Sequence, residues 1–175
     1  MKIKKIKTFI SLNLLICAFF SLCACSINSK KSTINIDVNY LGQYIKDNIV
    51  FKDNLQNIDD QDILKKLYPK IDLNYISEFC VYTSASGATA EEIAIFKLKD
   101  LKYIDDIKQI IKTRINNQIS NFENYIPEEV YKIKNSVINE NEDKNIITYI
   151  SCDTPNDIEN VLKNFYNKNS EQHNQ

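Results

Sequence analysis

The sequence is poor in residues that interrupt regular structure. Of its 175 residues only two are glycine and three are proline, tryptophan is absent, and Arg114 is the only arginine. Hydrophobic residues make up 43% of the chain, which is close to the globular norm. The abundance of Asn, Ile and Lys therefore indicates a skewed residue usage and not disorder, and the length predicts one domain, or two at most.

Histidine is nearly absent as well, which argues against several kinds of catalytic and metal site. The single histidine, His173, lies in the polar C-terminal tail, so we expect neither a Ser–His nor a Cys–His catalytic pair. The sequence has no G-x-S-x-G motif and no set of cysteines and histidines at zinc-binding spacing. The acidic stretches 59–62 and 140–143 lack the central glycine of an EF-hand loop. We assign no catalytic residue and predict no metal and no cofactor.

The first 24 residues have the layout of an export signal. Lysines at positions 2, 4, 5 and 7 are followed by a mostly apolar run over 9–22. The stretch "LCAC" (22–25) resembles the bacterial lipobox, in which a leucine and a small residue precede the modified cysteine. We therefore predict a lipoprotein signal peptide over 1–24 and lipidation of Cys25 with a diacylglyceryl group. A plain signal peptide and an uncleaved signal anchor are the alternatives.

The predicted cleavage changes the charge of the protein and places it at the membrane. Loss of residues 1–24 removes four lysines and changes the formal net charge from −1 to −5. An acidic domain is a poor partner for nucleic acid, because phosphate contacts need clustered Lys or Arg. The polar segment 25–36 is predicted to be the lipidated N-terminus and a tether of about 36–40 Å at most. The expected partners are the membrane, through the N-terminal lipid, and an unidentified envelope protein or small ligand.

Residues 37–167 are predicted to form a single α+β domain, followed by a flexible tail over 168–175. Apolar spacing and helix-start residues predict helices over 38–49, 59–68, 101–122 and 155–166. Aromatic and β-branched stretches predict strands over 76–84, 92–98, 131–139 and 145–152. The order ααββαββα favours a two-layer sandwich with helices mainly on one face of an antiparallel four-stranded sheet.

Two cysteines remain after the predicted anchor. Cys80 and Cys152 both lie in apolar, β-branched stretches, which is typical of buried thiols on strands. Outside the cytosol they can also form a disulfide, provided that the two strands are neighbours and the side chains face each other. Both alternatives stay open at this point, and we prefer the two buried thiols.

Glu92, Arg114 and Gln118 form a candidate polar cluster. Glu92 begins the second predicted strand, and Arg114 and Gln118 share one face of the long helix because they are four residues apart. The cluster either recognises a ligand or contains a structural Glu–Arg pair that joins helix to sheet, a role that the planar guanidinium suits. We prefer the structural interpretation.

Hydroxyl side chains flank Gly87 in the loop between the first two predicted strands. Ser84, Ser86 and Thr89 can bind an anion or include a nucleophile. The same residue types stabilise turns through local hydrogen bonds, and this is the preferred interpretation.

Three segments together resemble a known family. They are "SGATAEEIAIFKLKD" (86–100), the spacing R-x3-Q-x3-F-x2-Y-x-P over 114–127, and "ISCD" (150–153). They are similar to an uncharacterised lipoprotein family of Gram-positive bacteria, catalogued as domain of unknown function 4358, over roughly residues 38–166. The resemblance implies a lipoprotein that faces the cell envelope, and it supplies no activity, substrate or catalytic residue. Neither Cys80 nor Cys152 belongs to the family's pattern, which implies that a disulfide is not a family feature.

These observations favour an extracytoplasmic, membrane-anchored lipoprotein that acts as a non-enzymatic binding or interaction module. One alternative is an exported hydrolase that works through carboxylates such as Glu91 and Glu92. Another is an accessory subunit of a membrane complex. Convergent carboxylates in a cleft with room for water would favour the hydrolase, whereas a shallow apolar groove would favour binding.

Overall fold

A computed structural model of the chain describes residues 35–171. The predicted signal peptide, the predicted lipidation site Cys25 and all but the last two residues of the predicted tether lie outside the described residues. The helices are α1 (Val38–Asn48), α2 (Gln61–Leu67), α3 (Ile104–Tyr125), α4 (Val130–Lys134) and α5 (Pro155–Glu171). The strands are β1 (Leu55–Asn57), β2 (Ile76–Ser84), β3 (Glu92–Leu98), β4 (Val137–Asn141) and β5 (Ile146–Ser151). Short 3-10 turns lie over Leu101–Tyr103, Pro127–Glu129 and Glu142–Lys144.

The strands form one antiparallel sheet in the order β1-β2-β3-β5-β4. The hairpins β2–β3 and β4–β5 meet through β3 and β5, whose register pairs Glu92 with Ser151 and Lys97 with Ile146. β1 and β4 are the edges of the sheet. The prediction of an α+β fold with an antiparallel sheet is confirmed, whereas the predicted four strands and the order ααββαββα are wrong.

Helices cover both faces of this sheet. Ile93 and Ile95 of β3 lie in a core with residues of α1 and α5, whereas Ala94 and Phe96 lie in a second core with residues of α2 and α3. Because successive strand residues point to opposite faces, the unbroken apolar run of β3 needs cover on both sides. The expected two-layer arrangement, with helices mainly on one face, is therefore wrong.

The segment predicted as one strand over 131–139 divides into two elements, α4 and β4. Alternation would bury Tyr131 and expose Lys132, but Tyr131 is 60% exposed and Lys132 only 2%. The buried lysine is surrounded by three carboxylates, of which Glu91 and Asp153 come from distant parts of the chain and are not visible in the local pattern. β1 was not predicted, since a three-residue strand with the sequence Leu-Gln-Asn carries no periodic signal.

Side-chain caps start the first two helices. Asp37 accepts hydrogen bonds from the backbone N–H groups of Asn39 and Tyr40 and so is the N-cap of α1. Asp60 does the same for α2. The last helix continues to Glu171, so the predicted boundary between domain and tail falls inside it.

The described chain begins at one end of the sheet. Lys97, near the end of β3, donates through Nζ to the side chain of Asn35 (2.5 Å) and to the carbonyl of Ile36 (2.9 Å). The same ammonium forms an ion pair with Glu78 of β2 at 2.8 Å. No helix between residues 35 and 171 combines the length and apolar character that crossing a bilayer requires.

Cys80 and Cys152 are both buried and free. Burial raises the pKa of the Cys80 thiol to about 11 and also raises that of Cys152. The preferred alternative, two buried thiols without a disulfide, agrees with this arrangement.

Candidate functional site

Two consecutive acidic residues, Glu91 and Glu92, mark the end of the sheet at which the β2–β3 hairpin turns. Both side chains are buried, with exposures of 1% and 0%. The two carboxylates enter different charged clusters, one around Arg114 and one around Lys132. We name this end of the sheet, formed by residues 84–92, the hairpin end.

The first group, the Glu92 cluster, consists of Glu92, Arg114, Gln118, Tyr68 and Tyr149. Arg114 donates to Glu92 Oε2 through Nη2 (2.7 Å) and Nε (3.1 Å), and Gln118 Nε2 donates to the same oxygen at 2.8 Å. The hydroxyl of Tyr68 donates to Glu92 Oε1, and that of Tyr149 donates to Gln118 Oε1 at 2.9 Å. The structure thus brings together the three residues that the sequence singled out and adds two tyrosines from α2's C-terminal end and β5.

The electrostatics of the Glu92 cluster keep its donors protonated. Burial alone would lower the pKa of Arg114, but the Glu92 carboxylate outweighs this effect and leaves the pKa raised. Burial, and then the charge of Glu92, raise the pKa of Tyr68 well above its ordinary value. Burial also raises the pKa of Tyr149. Both phenols therefore remain hydrogen-bond donors, and the network ties α2 and α3 to the central strands.

The second group, the Lys132 cluster, consists of Lys132, Glu91, Glu129 and Asp153. The Lys132 ammonium lies 2.9 Å from Glu129 Oε2, 3.3 Å from Glu91 Oε1 and 3.4 Å from Asp153 Oδ1. Burial alone would lower the pKa of this lysine, but the hydrogen bond to Glu129 and the charges of the three carboxylates leave the pKa raised. Asp153 also pairs with the exposed Lys52 at 3.3 Å.

The carboxylates of the Lys132 cluster also hold the backbone around the hairpin end. Glu91 accepts the N–H groups of Lys52 (2.8 Å) and Asp53 (2.9 Å), which fixes the segment between α1 and β1. Glu129 accepts the N–H of Ala90 at 2.9 Å. Through these bonds the cluster joins the α1–β1 segment, the hairpin and α4.

Sequence reasoning missed the role of Lys132, Glu129 and Asp153. The available signal was the spacing of three between Glu129 and Lys132, which places oppositely charged residues on one side of a helix. Assigning 131–139 to a strand concealed that spacing.

The hydroxyl groups of the hairpin loop bond to acidic side chains within the same region. Asp53 Oδ2 accepts from the Ser84 hydroxyl, from Ser86 N–H (3.0 Å) and from Ser86 Oγ (2.5 Å). These bonds, that of Ser84 first, lower the pKa of Asp53 to about 2. Thr89 donates to Glu91 Oε2 at 3.0 Å, and Gly87 takes a positive φ of 71° that suits glycine. The three hydroxyl residues thus stabilise the turn.

A cleft of about 230 Å³ lies between the hairpin end and α3. Its lining includes Leu67, Thr83, Ser84, Gly87, Thr89, Glu91, Glu92, Arg114, Gln118 and Phe122. Both carboxylates at this cleft already accept hydrogen bonds from several donors. Within the described residues, no group of three or more His, Cys, Asp or Glu side chains is placed to hold a metal ion.

Fold and site together define an α+β domain whose central hairpin is fixed by two buried charge clusters. The chain belongs to the family described as Domain of unknown function (DUF4358), whose model matches residues 47–152. The membership in domain of unknown function 4358 that the three sequence segments predicted is thereby confirmed. The matched segment runs from the end of α1 to just beyond β5 and includes the Glu92 cluster and all of the Lys132 cluster except Asp153. No curated protein and no solved structure matches the chain.

Proposed function

We propose that this protein is a membrane-anchored, extracytoplasmic lipoprotein whose folded domain is a non-enzymatic binding or interaction module of the cell envelope. The observation that carries the non-enzymatic part is the pairing of the buried acids at the hairpin end. Glu92 accepts hydrogen bonds from Arg114, Gln118 and Tyr68, and Glu91 from Lys132, Thr89 and two backbone N–H groups. A general acid or base must direct a lone pair or a proton at the substrate. The carboxylate oxygens of Glu91 and Glu92 instead accept hydrogen bonds from groups of the protein itself.

The anchoring part of the proposal is supported by the sequence before the domain. Cys25 follows a charged start and an apolar run in a lipobox-like stretch, and only 12 residues separate it from the start of α1 at Val38. A diacylglyceryl group has two chains, and two chains hold a protein on a bilayer where one chain alone is marginal. The domain is then held near the outer face of the cell membrane.

Lipidation is tested by replacing Cys25 with serine in the full chain, expressed in a Gram-positive host and labelled with a palmitate analogue. We expect Cys25→Ser to lose the label and to leave the membrane fraction or accumulate with an intact leader, because serine forms no thioether. The matched control is Cys23→Ser, two residues earlier, which should keep both the label and the location. Label that persists in Cys25→Ser would overturn the anchoring.

The structural role of the Glu92 cluster is tested by Arg114→Ala. Removing one partner of a buried ion pair leaves Glu92 uncompensated, so we expect a loss of about 3–5 kcal/mol in the free energy of unfolding, measured with urea. Lys112→Ala, an exposed lysine on the same helix, is the control and should change stability by less than about 0.5 kcal/mol. Unchanged stability of Arg114→Ala, together with loss of a binding partner, would instead assign the cluster to ligand recognition.

An exported hydrolase is the second candidate function, because a cleft lies beside Glu91 and Glu92. Such an enzyme would have to release one carboxylate from its present donors on substrate binding. Hydrolysis of chromogenic ester, glycoside or peptide substrates by the unmodified chain, lost in Glu92→Gln at an unchanged melting temperature, would favour this candidate. Recovery of a defined membrane complex by crosslinking in whole cells would favour an accessory subunit.

A further inference from the structure

The cleft between the hairpin end and α3 lies at the end of the sheet that is remote from the start of the described chain. Lys97, which contacts residues 35 and 36, and Glu92, which lines the cleft, are five residues apart on β3. At roughly 3.3 Å per residue this separation is about 17 Å. Because the proposed lipid anchor precedes residue 35, the cleft lies at the end of the sheet away from the anchor.

Two apolar side chains form walls of this cleft. Leu67 contributes from the end of α2 and Phe122 from α3, and both are only partly buried. At about 230 Å³ the cleft is smaller than the pockets of roughly 300–1,000 Å³ that enclose drug-sized ligands. It therefore has room for one apolar group about the size of an amino-acid side chain, together with a few polar atoms.

Arg114 supplies a hydrogen-bond donor beside these walls. Its guanidinium bonds to Glu92 through Nε and Nη2, so the N–H groups of Nη1 take no part in those two bonds. The Arg114 side chain is 15% exposed, whereas the other four members of the Glu92 cluster are at most 4% exposed. Arg114 is therefore the member of that cluster which a ligand in the cleft can contact.

The protein fixes the orientation of this donor before a ligand binds. Two hydrogen bonds to Glu92 hold one edge of the guanidinium, and its Cζ lies 6.0 Å from the centre of the Tyr68 ring. Glu92 is held in turn by Gln118 and by the Tyr68 hydroxyl. A donor that is already fixed loses little side-chain entropy on binding, which favours affinity.

The charge of Arg114 is already compensated, and this restricts the kind of acceptor that suits the cleft. Glu92 Oε2 lies 2.7 Å from Nη2. A ligand carboxylate or phosphate bound to Nη1 would lie close to the same carboxylate and would be repelled by it. A neutral carbonyl oxygen accepts a hydrogen bond from Nη1 without that repulsion.

Thr83 adds a hydroxyl group to the same side of the cleft. It pairs with Glu92 in the β2–β3 ladder, so the two side chains lie on one face of the sheet, and it lines the cleft. A hydroxyl both donates and accepts hydrogen bonds. Arg114 and Thr83 together therefore suit an amide, which contains one carbonyl acceptor and one N–H donor.

We propose that the cleft binds a small uncharged molecule that contains an amide beside one apolar group, which is the chemistry of a short peptide. Arg114 Nη1 donates to the amide carbonyl, the Thr83 hydroxyl accepts the amide N–H, and the apolar group packs between Leu67 and Phe122. Arg114 has two roles, since Nε and Nη2 stabilise the fold while Nη1 contacts the ligand. The inference names the ligand class of the binding module proposed above and rests on that function.

Binding is tested with N-acetylphenylalanine amide, which is uncharged, and with N-acetylphenylalanine, an anion of similar shape at neutral pH. The readout is the Arg114 Nε–Hε signal in the NMR spectrum of the ¹⁵N-labelled full chain in detergent. This signal is unambiguous because the chain has no other arginine. We expect the amide to shift the signal saturably, with a Kd at least tenfold lower than that of the anion.

A pair of variants on α3 tests the apolar wall. Phe122→Ala removes one wall and should weaken binding of the amide at least fivefold. Tyr125→Ala is the matched control, because Tyr125 is 76% exposed and is not part of the lining, and it should bind the amide unchanged. If Phe122→Ala does not fold, Thr83→Val, which keeps the shape and removes the hydroxyl, takes its place.

The outcomes separate this proposal from the anchoring and from the interaction module as such. An Arg114 signal that does not shift with millimolar amide would overturn the site, as would equal binding of the anion or normal binding by Phe122→Ala. Hydrolysis of the amide to the anion and ammonia would overturn it in favour of the hydrolase. The label at Cys25 and a partner recovered by crosslinking in whole cells are measured independently, so either can hold when the cleft proposal fails.

Discussion

At the scale of single residues, Lys132 shows how a charge is kept inside the domain. Transfer of an ammonium from water to the interior costs several kcal/mol, and the attraction of nearby carboxylates must offset that cost. Three carboxylates lie within 3.4 Å of Lys132 Nζ, and its side chain is only 2% exposed. Glu91 and Glu129 are also fixed by bonds to backbone N–H groups, so removal of the lysine would leave like charges facing one another.

We therefore expect Lys132→Met to destabilise the fold by about 3–5 kcal/mol, the usual cost of breaking a buried pair by removing one partner. The matched control is Lys134→Met in the same short helix. The Lys134 side chain is 60% exposed, and its ammonium lies 3.9 Å from Glu123 Oε1. Because exposed pairs contribute little, that variant should lose less than about 1 kcal/mol. Urea unfolding of both variants measures the difference, and equal stabilities would contradict the role given to the cluster.

The residues of the site were only partly predictable from the sequence. Arg114 and Gln118 stood out because they share a helical face and because the chain has no other arginine. Lys132 did not stand out, since its partners Glu91 and Asp153 lie 41 residues before it and 21 after it and meet it only in the fold. Charge pairs between distant segments leave no periodic pattern.

At the scale of elements, the packing of α1 on β2 depends on Gly42. A Cβ at this position would lie 2.5 Å from Cys80 Sγ and 3.1 Å from the Tyr82 ring. Glycine inside a helix costs about 1 kcal/mol relative to alanine, so close approach of helix and strand is the reason for its presence here.

Gly42→Ala should accordingly lower the free energy of unfolding by about 1–3 kcal/mol, the range typical of overpacking, in spite of its better helix propensity. The cost should largely disappear when the same substitution is made in a Cys80→Ala background, where the nearest atom is absent. A double-mutant cycle from urea unfolding gives this coupling. Additive effects of the two substitutions would show that the contact with Cys80 is not the cause.

Elements with a strong local signal were predicted well, and the short elements β1 and α4 were not. β2 and β3 have the predicted bounds, and the long helix α3 follows its apolar spacing. β1 has three residues, too few for a pattern, and α4 was hidden by an apparent alternation. The unbroken apolar run Ile93–Phe96 indicates a strand that is buried on both faces of the sheet, but the two-layer prediction did not take this into account.

At the scale of the whole molecule, β3 couples the two cores. Its residues alternate between the core with α1 and α5 and the core with α2 and α3, so neither core can lose this strand without affecting the other. β2 and β5 also contribute residues to both cores, so a domain of this size should unfold as a unit.

We expect one transition in urea for probes placed in each core. The variant used is the full chain with the cysteines of the predicted signal peptide replaced by serine. In this variant the reactivity of the Cys80 and Cys152 thiols reports on the first core. Tyr68 and Tyr149 lie in the second core and contribute to the near-ultraviolet circular dichroism. The two midpoints should coincide, and thiols that react at clearly lower urea than the dichroism change would indicate separable halves.

The two adjacent acids at the start of β3 have a further effect on how the hairpin aligns. A slip of β3 by one position that moves Glu91 into the place of Glu92 would turn Glu91 toward Arg114, and would also rotate Ile93 and Phe96 to the wrong sides. Ala90 would then take the place of Glu91, and the N–H groups of Lys52 and Asp53 would lose their acceptor. Insertions should therefore be tolerated at Gly87, in the open loop tip, and rejected between Ala90 and Leu98.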